Sequence, residues 1–139
     1  MFMIKTAIKT PERNKTEKST HTAANRISTD FMELLESQFP VTDLRNTIKL
    51  RAASDFAQKL NIHVNHLNRS VKSIFNKATS VIIRERILAE SKRLLKQSDW
   101  NVSEIAYALG FTEVTHFNNF FKKEMEMNPS QFRKSLTDN

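Results

Sequence analysis

Two polar helical faces hold the residues whose types and spacing could do chemistry. On the first, Asn65, Arg69 and Lys72 fall off the apolar line Leu67, Val71 and Ile74. On the second, Thr115, Asn119, Lys122 and Lys123 lie away from the line Phe117, Phe121 and Met125. Amides, a guanidinium and ammonium groups donate hydrogen bonds and carry positive charge; they are suited to holding a polyanionic partner. The parts of other chemistries are missing. The chain has no cysteine, which excludes disulfides, thiolate zinc sites and cysteine nucleophiles. With a single glycine it has no phosphate-cradling loop, and neither a serine elbow nor a pair of carboxylates in an evident cleft can be read from it. His63 and His66 stand three apart, but no third ligand of suitable type joins them, and His21 stands alone. Neither a metal nor a cofactor is expected, and His66 reads as a surface or hinge-packing residue.

The elements that position these faces are helices. Residues 102–109, V-S-E-I-A-Y-A-L, form a helix capped by Asn101, with Glu104 closing a capping box and Val102, Ile105, Ala106 and Leu109 on one face. Gly110 follows as a terminator that accepts positive φ. A second helix runs from about Glu113 to Met125, and a third starts at Pro129 after Asn128, with Gln131 placed for a capping box. Two short helices across a tight turn, the second basic on its outer face, make a helix-turn-helix. The same logic occurs earlier, in a helix over 51–60 with Ala53, Phe56, Ala57 and Leu60 inward, a turn at Asn61 and Ile62, and a helix from His63 to about Phe75. A-x-x-L-N-I in the first copy parallels A-x-x-L-G-F in the second, about fifty residues on.

Between the copies the spacing predicts one long helix, Thr79 to Gln97. Val81, Ile82, Ile87, Leu88, Leu94 and Leu95 are its apolar positions, and Arg84, Glu85, Arg86, Glu90, Lys92, Arg93 and Lys96 its charged ones. Nineteen residues span about 28 Å, against about 34 Å for one turn of duplex. A leading helix is predicted over Thr29–Gln38, with Phe31, Leu34 and Leu35 as its stripe and Pro40 as its stop. Val41, Leu44 and Ile48 should pack within the connection that follows. Trp100 reads as a packing anchor, Phe132 as folding back on the second unit and Phe120 as partly exposed; Thr137 to Asn139 should fray. The expected fold is all-α, about seven helices, with two helix-turn-helix units joined by a long linker helix. Its divisions are a disordered basic arm or stump of an upstream region (1–27), the leading helix and connection (28–49), the first unit (50–78), the linker (79–98) and the second unit (99–136).

The net charge is +7, unevenly spread. Residues 1–28 hold six basic and two acidic side chains, and the remainder sixteen and thirteen, so the folded part is only about +3. The location of charge therefore matters more than its total. No apolar run is long enough to cross a bilayer and Lys5 interrupts the apolar start; no membrane partner and a cytoplasmic setting are expected.

Residues 103–123, S-E-I-A-Y-A-L-G-F-T-E-V-T-H-F-N-N-F-F-K-K, followed by N-P-S-Q-F-R at 128–133, resemble the DNA-binding domain of AraC/XylS-type transcription regulators. R-I-L-A-E-S-K-R-L-L at 86–95 resembles that family's linker helix, and the resemblance covers roughly residues 45–135. It implies a sequence-specific regulator that contacts adjacent major-groove segments of double-stranded DNA. By the family's geometry Asn65 and Arg69 would face bases in the first unit, and Val114, Thr115 and Asn119 in the second. His63, Lys72, Thr112, His116, Lys122 and Lys123 would be phosphate contacts. The chain departs from the pattern in carrying Glu126 and Asn76 where glycine is usual, Asn128 for threonine, Val71 for phenylalanine, and Asn119 where arginine is frequent. RNA polymerase and an upstream effector or dimerisation domain are further partners the family suggests. The competing expectation is an all-helical protein-interaction module whose basic faces serve only solubility, with Arg69 solvated or paired with Asp55.

Overall fold

The structure, a computed structural model, describes residues 21–137. Residues 1–20 of the expected arm and the last two residues of the expected fraying end lie outside them, as does the His21 side chain. Seven α-helices follow one π-helical turn, with no strand among the described residues. The helices are α1 (Arg26–Glu36), α2 (Ala53–Lys59), α3 (Val64–Phe75), α4 (Thr79–Gln97), α5 (Val102–Ala108), α6 (Val114–Met125) and α7 (Pro129–Thr137).

The leading helix begins earlier than its stripe predicts. A π-turn at His21–Asn25 feeds α1 at Arg26, so the end of the expected arm is helical. The cause is tertiary: Ser28 is buried and donates to the Ser70 carbonyl of α3 at 3.2 Å. That anchor holds a turn that lacks an apolar stripe of its own. Further along, Phe31 meets Phe56 edge-on with ring centroids 5.1 Å apart, sealing α1 onto α2.

The connection between α1 and α2 is tied down from several sides, as its buried Val41 and Ile48 require. The Gln38 amide donates to Leu50 O and accepts from the Lys49 and Leu50 N–H groups, closing the loop on itself. Glu90 of the linker helix then accepts the Val41 N–H at 2.6 Å. Glu90, one of the charged positions of the linker helix, is buried, its side chain 2% exposed. Burial alone would raise its pKa; hydrogen bonds from Arg93 and Val41 and the charges of Arg93 and Arg86 outweigh that and hold it below the usual carboxylate range. Arg93 also donates to the Val41 carbonyl, so one ion pair satisfies both backbone groups of a buried residue.

The two units repeat the same turn. Ile62 N–H donates to Ala57 O and Phe111 N–H to Ala106 O, each at 3.0 Å, which is the Schellman closure. The residue in between takes positive φ in both, Asn61 at 61° and Gly110 at 87°. At Gly110 a side chain is excluded twice over, since a Cβ would collide with the Arg51 side chain and stand 3.1 Å from the Ile48 carbonyl. That crowding exists because the connection docks on the second unit. Ile48 N–H donates to Ala108 O at 2.9 Å, and the Arg51 guanidinium lies 4.2 Å from the centre of the Phe111 ring.

Inside the second unit Phe111, Phe117, Phe120, Phe121 and Phe132 form a chain of rings with centroids 5.3–6.0 Å apart. Phe120 is half-buried, as its position off the stripe predicts. Arg133 locks α7 against the end of the linker, donating to the carbonyls of Leu94, Leu95, Ser98 and Trp100. These include carbonyls left over where α4 stops, so a side chain supplies what helix geometry cannot.

Candidate nucleic-acid interface

The second helix of each unit shows its polar face to solvent because its apolar face is committed. On α3, Leu67 and Val71 are fully buried, while Asn65, His66, Asn68, Arg69, Lys72 and Ser73 are exposed. On α6, Phe117 and Phe121 are fully buried, while Val114, Thr115, His116, Asn119, Lys122 and Lys123 are exposed. Thr112 is exposed in the turn that leads into α6. Every side chain named from the sequence as base-facing or phosphate-contacting is therefore on the surface, in one group on each unit.

Local chemistry refines several of them. His63 is the cap of α3: its Nδ1 accepts the Asn65 N–H at 3.1 Å, which fixes the ring at the helix entrance. Asp55 is engaged elsewhere, accepting the Arg51 and Ala52 N–H groups at the start of α2. Arg69 makes no ion pair among the described residues, so its expected pairing with Asp55 does not form. The outer face of α3 carries two full cations and no acid. α6 is more balanced: Glu113 stands at its start without a side-chain cap bond, and Glu124 near its end lies 3.6 Å from Arg84 of the linker. Asn68 is exposed beside Arg69 and was missed by the sequence reading; the signal was its helical spacing, three residues after Asn65 and four before Lys72.

Nothing in the described residues groups three potential metal ligands, and no helix is long and apolar enough to cross a membrane. The two exposed faces are carried on one repeated motif. A helix-turn-helix domain model of AraC type matches residues 56–135. The chain belongs to the AraC-type helix-turn-helix family. Members of that family are DNA-binding transcription regulators. The xylose operon regulatory protein of Haemophilus influenzae is 30% identical over 117 residues, which cover 81% of this chain and 30% of that protein. This chain thus spans about three tenths of that relative's length. Among solved structures, the C-terminal domain of the two-component response regulator yesN from Fusobacterium nucleatum matches with a TM-score of 0.61 at 24% identity, over 74% of this chain and 93% of that one. The DNA-binding domain of AdpA, solved in complex with a target DNA, matches with a TM-score of 0.64 at 17% identity, over 78% and 94%. At these identities the two structures speak for the AraC-type fold.

Proposed function

We propose that this chain reads duplex DNA by inserting α3 and α6 into adjacent major-groove segments on one face, as the DNA-binding part of a transcription regulator. The observation that supports this best is the repetition: two units with the same turn closure each turn a polar helix outward, and a linker of about 28 Å separates them. Arg69 and Asn65 read bases in the first unit, guanine and adenine being their best partners. Val114, Thr115 and Asn119 read the second, where Val114 and the Thr115 methyl suit a thymine methyl. His63, Lys72, Thr112, His116, Lys122 and Lys123 hold phosphates, helped by the amino ends of the reading helices. The first unit discriminates more sharply than the second. This role involves no catalytic step, and places the protein in the cytoplasm with RNA polymerase and an effector or dimerisation segment as further partners.

Selection of randomised duplexes, with affinity of the winners measured across salt, tests the reading. Two short half-motifs about one helical turn apart, with affinity falling steeply as salt rises, are expected. Salt-insensitive binding with no preference over scrambled DNA would return the chain to the class of protein-interaction modules.

A further inference from the structure

The two reading helices begin differently. At the start of α3 one residue closes the first turn: the His63 carbonyl accepts the His66 N–H at 3.0 Å and the Leu67 N–H at 3.1 Å, while the His63 ring, through Nδ1, accepts the Asn65 N–H at 3.1 Å. At the start of α6 the Glu113 carbonyl accepts from His116 at 3.2 Å and Phe117 at 3.4 Å, but its side chain makes no cap bond. The bond to Asn65 matters because little else holds that turn. Leu67 and Val71 anchor α3 from Leu67 onward, whereas ahead of Leu67 only Val64 is partly buried, and Asn65 and His66 are exposed. Helix ends with few buried contacts are the first to open.

The same bond fixes the chemistry of the ring. A nitrogen that accepts carries no proton, so the capping imidazole holds its hydrogen on Nε2; an imidazolium donates at both nitrogens and has nothing to cap with. We infer that His63 is the positioning residue of Asn65: as a neutral ring protonated on Nε2 it holds the first turn of α3 in place, so that the Asn65 amide meets its base in one geometry, and it offers a phosphate a neutral hydrogen bond rather than a charge. This rests on the DNA reading above. It supplies a cause for the sharper discrimination proposed for the first unit, since Val114 and Thr115 stand on a first turn without such a bond. Arg69 lies beyond the pinned turn, beside buried Ser70 and Val71, and does not depend on the ring.

Two variants, measured on the selected duplex and on duplexes changed one base pair at a time, separate positioning from phosphate contact. His63 is exposed, so neither disturbs the core. His63→Ala should lose about three- to tenfold of the discrimination at the base step met by Asn65, located as the step that Asn65→Ala relaxes, and none at the step met by Arg69. Its salt slope should not change, because no charge is removed. His63→Ser, whose hydroxyl accepts the Asn65 N–H, should restore the lost discrimination. Equal weakening of all duplexes by both variants would leave His63 a phosphate contact only and overturn the inference. A slope lowered by about one unit, the mark of an imidazolium paired with phosphate, would overturn it too. Ring nitrogen resonances read the tautomer without DNA: a bare Nδ1 and a protonated Nε2 are expected, and a proton on Nδ1 would end the proposal. Should wild type bind no duplex, the DNA reading itself fails, and the positioning role falls with it whatever the tautomer.

Discussion

In the first unit the turn between helices closes over Asn61 and in the second over Gly110, with the same backbone hydrogen bond in each. Around that shared turn the two halves diverge. The second has full capping boxes at Asn101 with Glu104 and at Asn128 with Gln131, and a core of phenylalanines in tilted and edge-on contact. The first has Ala52 and Ala78 at two cap positions and His63 at the third, packs Leu67 and Val71 with the ring pair of Phe31 and Phe56, and has no ion pair at Arg69 or Lys72 of α3 among the described residues. Both units expose donors on their second helix, and they differ in which helix starts are capped: α5 and α7 in the second unit, α3 in the first. What the two copies share is the turn, the part that backbone geometry restricts most, and what differs is the caps and the surface.

The comparison can be broken first at the cores. Phe117→Ala, which removes the hub of the ring cluster, should cost about 4 kcal/mol, and Leu67→Ala about 3 kcal/mol, measured by urea unfolding. Equal or reversed losses would show that the second core is no more finely packed than the first. Between the units, Glu90→Gln should cost about 2 kcal/mol at neutral pH by uncoupling the connection from the linker. Glu90 has its folded pKa below the unfolded value, so its contribution is complete above about pH 4.5 and vanishes as pH falls through the folded pKa. Wild type should therefore lose stability below about pH 4.5 faster than the variant. Parallel acid unfolding curves would count against that assignment.

On DNA, Arg69→Ala should weaken binding to the selected site by about 2 kcal/mol and relax one base step, whereas Asn119→Ala should cost about 1 kcal/mol. Uniform weakening on all duplexes by Arg69→Ala would move it from base to phosphate. The smallest effect concerns the ends of the reading helices. Asn76 and Glu126 both take left-handed φ, at 58° and 61°, and both N–H groups close the last turn on Lys72 and Lys122. Asparagine tolerates that conformation and glutamate does not, so Glu126→Gly should stabilise by about 1 kcal/mol and Asn76→Gly by a few tenths. A melting temperature unmoved by Glu126→Gly would mean that the turn has found another relief.

Much of this was legible in the chain because it is local. Residues 102–109 carry their cap, apolar face and terminator within a single stretch, and the observed α5 differs from the prediction by one residue at its end. The linker, predicted from Thr79 to Gln97, is found with those bounds. The surface status of Asn65, Arg69, Asn119 and their neighbours followed from helical period alone. What they would contact came from the resemblance, since period says which way a side chain points and nothing about its partner. The start of α1, the buried Glu90 and the docking of the connection on the second unit were invisible, because each depends on a partner tens of residues away.

The sequence by itself determined the helices, their turns and their faces, since intrahelical bonds, caps and the 3.6-residue period act within a few residues. Tertiary structure decided which charges are structural. Arg93 and Glu90 clamp Val41, Arg133 gathers carbonyls at the end of α4, Arg51 lies on Phe111, and Arg69 has no ion pair among the described residues. An arginine in sequence is only a cation on a helix face; whether it is spent on a carbonyl, a carboxylate or a ring depends on what the fold brings within about 3–4 Å of it.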